Sequence, residues 1–249
     1  MKKWLSAVAV VVAIGVGTLY YYFFSAMSAD GTTQYVYIDD DDNIDSVLTK
    51  VSAVSNAHAM SAYTLLAKHS AYAEHVRTGR YAINGSNGAL VTFRHMKNGL
   101  QTPVNLTVPS VRTTDRLAAE LSKKLMLDSA AISHALKDEA VCQKYGYDTA
   151  TIACMFIPNT YDIYWNTSID HLFERMQKES KRFWNAERTK KAADMKLSPV
   201  QVITLASIID EETANNDEKP MVAGMYYNRL MLRNAEYPNG MPLQADPTI

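Results

Sequence analysis

The chain opens with a long uncharged run and then breaks into short segments whose apolar residues repeat every second or every third to fourth position. Residues 4–24 (WLSAVAVVVAIGVGTLYYYFF) carry no charge and match the roughly 20 residues that a helix needs to cross a bilayer. Trp4 at one end and Tyr20, Tyr21 and Tyr22 at the other suit the two aromatic belts of a membrane span. Residues 32–38 (TTQYVYI) are β-branched and aromatic and predict a strand. An acidic turn follows, in which Asp42 or Asn43 caps a helix over 44–54 with Ile44, Val47, Leu48 and Val51 on one face. Further along, helices are predicted over 58–68, 89–97, 116–125 and 129–137, and strands over 80–83 and 102–108. Residues 168–191 read as one long helix burying Ile169, Leu172, Phe173, Met176, Phe183 and Trp184.

The last two helices have the clearest signals. Ser198 and Pro199 supply a capping hydroxyl and a proline in the first turn. Val202, Leu205, Ile208 and Ile209 then recur at helical spacing. Residues 217–220 open a second helix, with Met221, Val222, Met225, Tyr226, Arg229 and Leu230 as its contact stripe. The chain is therefore read as α+β: an anchor with a cytoplasmic stub over 1–29, a small α/β module over 30–110, and a mainly helical domain with a few strands over 111–249.

Charge changes this picture in one respect. Lys2 and Lys3 precede the apolar run, while Asp30 and Asp39 to Asp42 follow it, so the positive-inside rule puts the N-terminus in the cytoplasm and the remainder outside. The small residues Ser25, Ala26, Ser28 and Ala29 present a cleaved signal peptide as the alternative. The run exceeds the roughly 7–15 apolar residues of a signal core, which favours a retained anchor. With 249 residues, 47% of them hydrophobic, and a net charge of −1, there is chain enough for an anchor and two modest domains. No basic stripe with interleaved aromatics invites nucleic acid.

Metal chemistry finds no support. His58, His69 and His75 lack ligand spacing, which makes them surface or packing residues. The acidic turn lacks the glycine of a calcium loop and has Lys50 in place of the bidentate glutamate. Cys142 and Cys154 could form a bridge or remain two thiols; neither state is catalytic.

One carboxylate stands out. Glu212 falls on the stripe of Leu205, Ile208 and Ile209, on the face that packs inward, whereas Asp210 and Glu211 point elsewhere. A carboxylate at the end of an apolar stripe is expected to hold its proton more tightly and so to serve as a general acid. The plain alternative is a solvated helix-end acid, at the unfavourable end of the dipole.

The surrounding words decide between these. LASIIDEET, then VAGMYYNRL, then GMPLQADPTI resemble, in that order, the catalytic core of the membrane-anchored endolytic murein transglycosylases of the YceG-like family. The resemblance implies that Glu212 is the acid/base, with Asn228, Gln244 and Asp246 positioning glycan or supporting the site. It implies non-hydrolytic cleavage of the bond between N-acetylmuramic acid and N-acetylglucosamine within peptidoglycan strands, leaving 1,6-anhydro ends, with no metal and no cofactor. Cell-wall synthesis machinery is an implied partner, and the inner membrane, with the catalytic domain in the periplasm, the implied location.

The GRY segment at Gly79–Tyr81, followed by a helix, Asn98-Gly99 and a strand, resembles a LysM-like module; a purely structural module is the alternative. Residues 156–161 (FIPNTY) resemble an aromatic-x-Pro-Asp-Thr-Tyr segment of the family with Asn159 in place of the aspartate, and read on their own as a turn packing Tyr161 and Tyr164. Family members continue past the position of Ile249, so a fragment or truncated product is expected. Two rivals are a glycan-binding scaffold without catalysis, and a hydrolase with Asp246 as its second carboxylate.

Overall fold

The computed structural model describes residues 2–245 and divides into two units, one of residues 1–106, 121–128 and 160–168, the other of 107–120, 129–159 and 169–249. The first unit starts with a single helix, α1 (Lys2–Phe24), long and apolar enough to cross a membrane. Strand β1 (Gln34–Ile38), helices α2 (Ile44–Ser52) and α3 (Ala57–Lys68), strand β2 (Gly79–Ile83) and helix α4 (Ala89–Asn98) follow. β1 and β2 pair antiparallel, with Tyr37 opposite Arg80. Strict alternation sends Val36, Ile38, Tyr81 and Ile83 into the core and leaves Tyr35 and Tyr37 outside. Asn43 caps α2 through a capping box with Ser46. Lys50 reaches back from that helix to Asp39 at 2.8 Å and Asp42 at 2.5 Å, so two of the four aspartates of the acidic turn share a cation of their own module.

The link between α1 and this unit is part of the core. Met27 is fully buried, its amide donates to the Asn87 carbonyl and its carbonyl accepts from the Asn56 amide. The Asn56 side chain donates to the carbonyls of Ala26 (3.0 Å) and Ser28 (2.8 Å). His58 is a packing residue: its ring stacks on Tyr21 at 4.2 Å and its Nε2 lies 2.7 Å from the Ser25 hydroxyl. Phe23 packs on the core cluster of Tyr63, Phe93 and Met96.

Strand β3 (Val104–Val108) pairs with β4 (Asn159–Ile163) in a second two-stranded sheet. β4 replaces the turn expected around residue 159. Tyr161 and Ile163 are buried, and period-two alternation turns Tyr164 outward, 54% exposed, where packing was expected.

The second unit is mainly helical: α5 (Thr114–Ser122), α6 (Ser129–Lys137), α7 (Glu139–Lys144), α8 (Ile169–Phe183), α9 (Ala186–Asp194), α10 (Pro199–Glu212) and α11 (Lys219–Met231). The helix expected over 168–191 is two helices. Asn185 accepts from the Arg188 amide at 2.9 Å, and this N-cap ends one helix and starts the next. α8 buries Leu172, Phe173 and Met176 as its pattern requires, while Phe183 and Trp184 are half-exposed at the break. Cys142 and Cys154 are both free thiols.

Gly88, the N-cap of α4, has an ordinary φ of −86°, so its requirement is one of space: an added Cβ would lie 2.6 Å from the Phe23 carbonyl oxygen and 2.7 Å from the Phe24 Cα. Gly88→Ala should therefore lift the end of α1 off the module and cost about 1–3 kcal/mol. The expected reading is a lower Tm and new protease cutting between residues 25 and 31. An unchanged Tm and digestion pattern would show that the docking is loose.

Candidate active site

α10 is set by its first turn. The Ser198 hydroxyl accepts from the Gln201 amide at 3.2 Å, the Gln201 side chain accepts from the Ser198 amide at 2.8 Å, and Pro199 fills the first helical position. From there Leu205 and Ile209 are buried against Leu197 and Tyr226, with Val202 and Ile208 at the margin. The turn into α11 is organised by Glu218, whose two oxygens accept from the Thr213 hydroxyl (2.8 Å) and the Asn215 side-chain amide (3.1 Å).

Three acids close α10, and each has a different partner. Asp210 pairs with Lys219 at 2.5 Å and accepts from the Ser110 hydroxyl at 3.3 Å. Glu211 accepts from Nε of Arg112 at 2.6 Å. Glu212 accepts from the Tyr226 hydroxyl at 2.7 Å through Oε1, and among the described residues no cation pairs with it. Lys219 beside Asp210 holds that carboxyl below its ordinary value of 3.8. Glu211 and its close contact push the Arg112 guanidinium up.

Glu212 does end the apolar stripe, but it is exposed, where enclosure on the inward face was expected. The stripe stops one turn short of it: Ile209 is buried, and beyond that the Tyr226 hydroxyl meets an exposed carboxylate. Tyr226 itself is 3% exposed, so the carboxylate meets solvent while its hydrogen-bond donor is rooted in the packed cluster.

The other expected site residues lie around this hairpin. Asn228 is exposed on α11, two residues and so about 200° past Tyr226, on the side turned away from the Glu212 contact. Arg229 faces the chain that follows: its carbonyl accepts from the Met241 amide at 3.0 Å and its guanidinium donates to the Leu243 carbonyl. Leu243 and Ala245 pack beside the Leu205–Ile209–Tyr226 cluster. Gln244 between them is exposed and has a φ of 50°, the left-handed region that a non-glycine residue occupies only when its surroundings impose it. Asp246 lies outside the described residues.

Tyr226 and Arg112 are the members that sequence reading missed. Tyr226 belongs to the contact stripe by its ring, and a hydroxyl on a buried position also needs a partner. Nothing local could connect Arg112 to an acid 99 positions away.

The sequence model of the YceG-like family matches residues 36–249. The chain belongs to this family. An endolytic murein transglycosylase of Streptococcus pneumoniae (serotype 2, strain D39 / NCTC 7466) is 24% identical over 236 aligned residues, covering 83% of this YceG-like chain and 40% of the relative. One of Bacillus subtilis (strain 168) is 29% identical over 84 residues, 34% of this chain and 21% of that relative. The chain thus spans less than half the length of these curated relatives. A crystal structure of a yceG-like protein from Listeria monocytogenes is 21% identical and matches with a TM-score of 0.49, covering 87% of this chain and 74% of that one.

The Asp210–Lys219 pair gives the α10–α11 hairpin a defined acid response. Because Asp210 is depressed in the folded state, its contribution is present above the unfolded carboxyl's pH range and is lost as pH falls through the lower folded value. Both groups are partly exposed, so the effect should stay below about 1 kcal/mol. Lys219→Met is expected to flatten the fall in Tm below pH 4; an unaltered Tm–pH curve would count against the pair.

Proposed function

We propose that this chain is the membrane-anchored part of an endolytic peptidoglycan lytic transglycosylase that cleaves the MurNAc-β-1,4-GlcNAc bond within glycan strands and so ends their growth. The observation that carries the reading is Glu212: a solvent-facing carboxylate with no cationic partner among the described residues, set on a capped helix in the region matched by the family. The relatives named endolytic murein transglycosylases supply the substrate class.

One carboxyl group suffices for this chemistry. Protonated Glu212 gives its proton to the glycosidic oxygen as the bond to the muramyl anomeric carbon breaks. The muramyl C6 hydroxyl oxygen closes on that carbon, and its proton passes to the carboxylate, which returns to its starting state. No water is consumed, and the intramolecular nucleophile supplies the proximity that a positioned water would otherwise provide. Asn228, Gln244 and Asp246 are proposed to position the glycan or to support the site. The exposed Gln244, fixed in an unfavourable backbone conformation between two packed neighbours, supports a contact role for it.

The module over 30–110 is proposed as a LysM-like glycan binder, a reading supported by its strand–helix–helix–strand order and antiparallel strand pair. The domain over 111–249 is proposed as the catalytic part. α1 is proposed as a retained single-pass anchor in the inner membrane, N-terminus in the cytoplasm, with the rest periplasmic and within reach of the wall-synthesis machinery. The length of α1 supports retention, since its uncharged run exceeds the roughly 7–15 apolar residues of a signal core.

Intact glycan strands digested by the detergent-solubilised protein, with products read by mass spectrometry, test the reaction. Anhydro-muramyl ends are expected, and Glu212→Gln should lower their yield by about 100-fold or more. Reducing ends would point to a hydrolase, and binding without cleavage to a scaffold. For the anchor, the full-length protein should stay with membranes through an alkaline carbonate wash; release as a shortened soluble form would mean a cleaved signal.

A further inference from the structure

The three acids at the end of α10 are adjacent in sequence but are treated in two chemically different ways. Asp210 and Glu211 receive cations, Lys219 and Arg112. Glu212 receives a neutral phenol, 2.7 Å from Oε1. A cation there would fix the carboxylate equally well but would favour its charged form so strongly that it could not hold a proton for transfer. A hydroxyl fixes one oxygen and leaves the other to face solvent.

Tyr226 is suited to that task by its burial. Its ring packs among Leu197, Leu205 and Ile209, so its hydroxyl position is set by the hairpin core and does not wander with solvent. The hydrogen bond to Glu212, then burial, raise the phenol above its ordinary 10.0, so it remains the donor at working pH. Arg229, the cation one turn along the same helix, is turned away to the Leu243 carbonyl.

The geometry points to Tyr226 as a positioning residue that holds Oε1 of Glu212 and thereby aims Oε2 at the glycosidic oxygen. This rests on the transglycosylase reading for its consequence, though not for the bond itself. Packing alone would be served by phenylalanine, which makes Tyr226→Phe the discriminating change.

Two measurements test it together. In kinetics on intact glycan strands, Tyr226→Phe is expected to lower kcat about tenfold per folded molecule with KM unchanged, the mark of a misaimed group in place of lost binding. In thermal unfolding, Tyr226→Phe, Glu212→Ala and the double variant form a cycle. The double variant should lose less Tm than the two single losses added, because the second change removes a bond already gone. Additive losses overturn the proposal whether or not the enzyme turns over, and so does a Tyr226→Phe enzyme with wild-type kcat. Absence of anhydro ends from the wild type would sink the transglycosylase reading instead, with the cycle still deciding whether Tyr226 holds Glu212.

Discussion

Negative charge at the C-terminal end of a helix opposes the helix dipole, and the surroundings of Glu212 are organised by that opposition. α10 ends with three carboxylates in succession, a costly arrangement that the structure offsets from three directions. Lys219 comes from the start of α11, Arg112 from the segment ahead of α5, and the Tyr226 hydroxyl from the middle of α11. The apolar contact of Leu205 and Ile209 with Tyr226 is what brings the third of these into range. A change in that small cluster would reach the carboxylate without touching it.

The first unit solves a different problem with the same means. Its two-stranded sheet is too small to be stable alone, so the inner face of the sheet shares one core cluster with α2, α3, α4 and the link from α1. Met27, Asn56 and Gly88 make that link part of the core, and Gly88 does so by having no side chain. The apolar helix and the module behind it therefore share one set of contacts.

Much of this was legible in sequence where the signal was local. The apolar run of α1, the Ser198 cap and the alternation of β1 each rest on a few neighbouring residues, and each is observed; of the two caps offered for α2, Asp42 and Asn43, the structure uses Asn43. Apolar spacing over 168–191 predicts one long helix because periodicity does not register a single capping residue, and Asn185 divides it in two. Glu212 was found by its place on a stripe, yet its exposure was not, because periodicity gives direction around a helix and not the extent of the neighbour it faces. Arg112 and Ser110 were invisible for the simplest reason: their partners are about a hundred residues away.

That distance orders the events by which the site comes into being. Bringing Tyr226 to Glu212 closes a gap of 14 positions, whereas bringing Arg112 to Glu211 closes one of 99. The longer closure costs about 2 kcal/mol more chain entropy, so the hairpin should form early and the Arg112 clasp later. A ribosome must also have made the chain as far as α11 before Glu212 acquires its donor. During synthesis the carboxylate is an ordinary side chain on an unfinished helix, and its setting arises only once α11 has followed it.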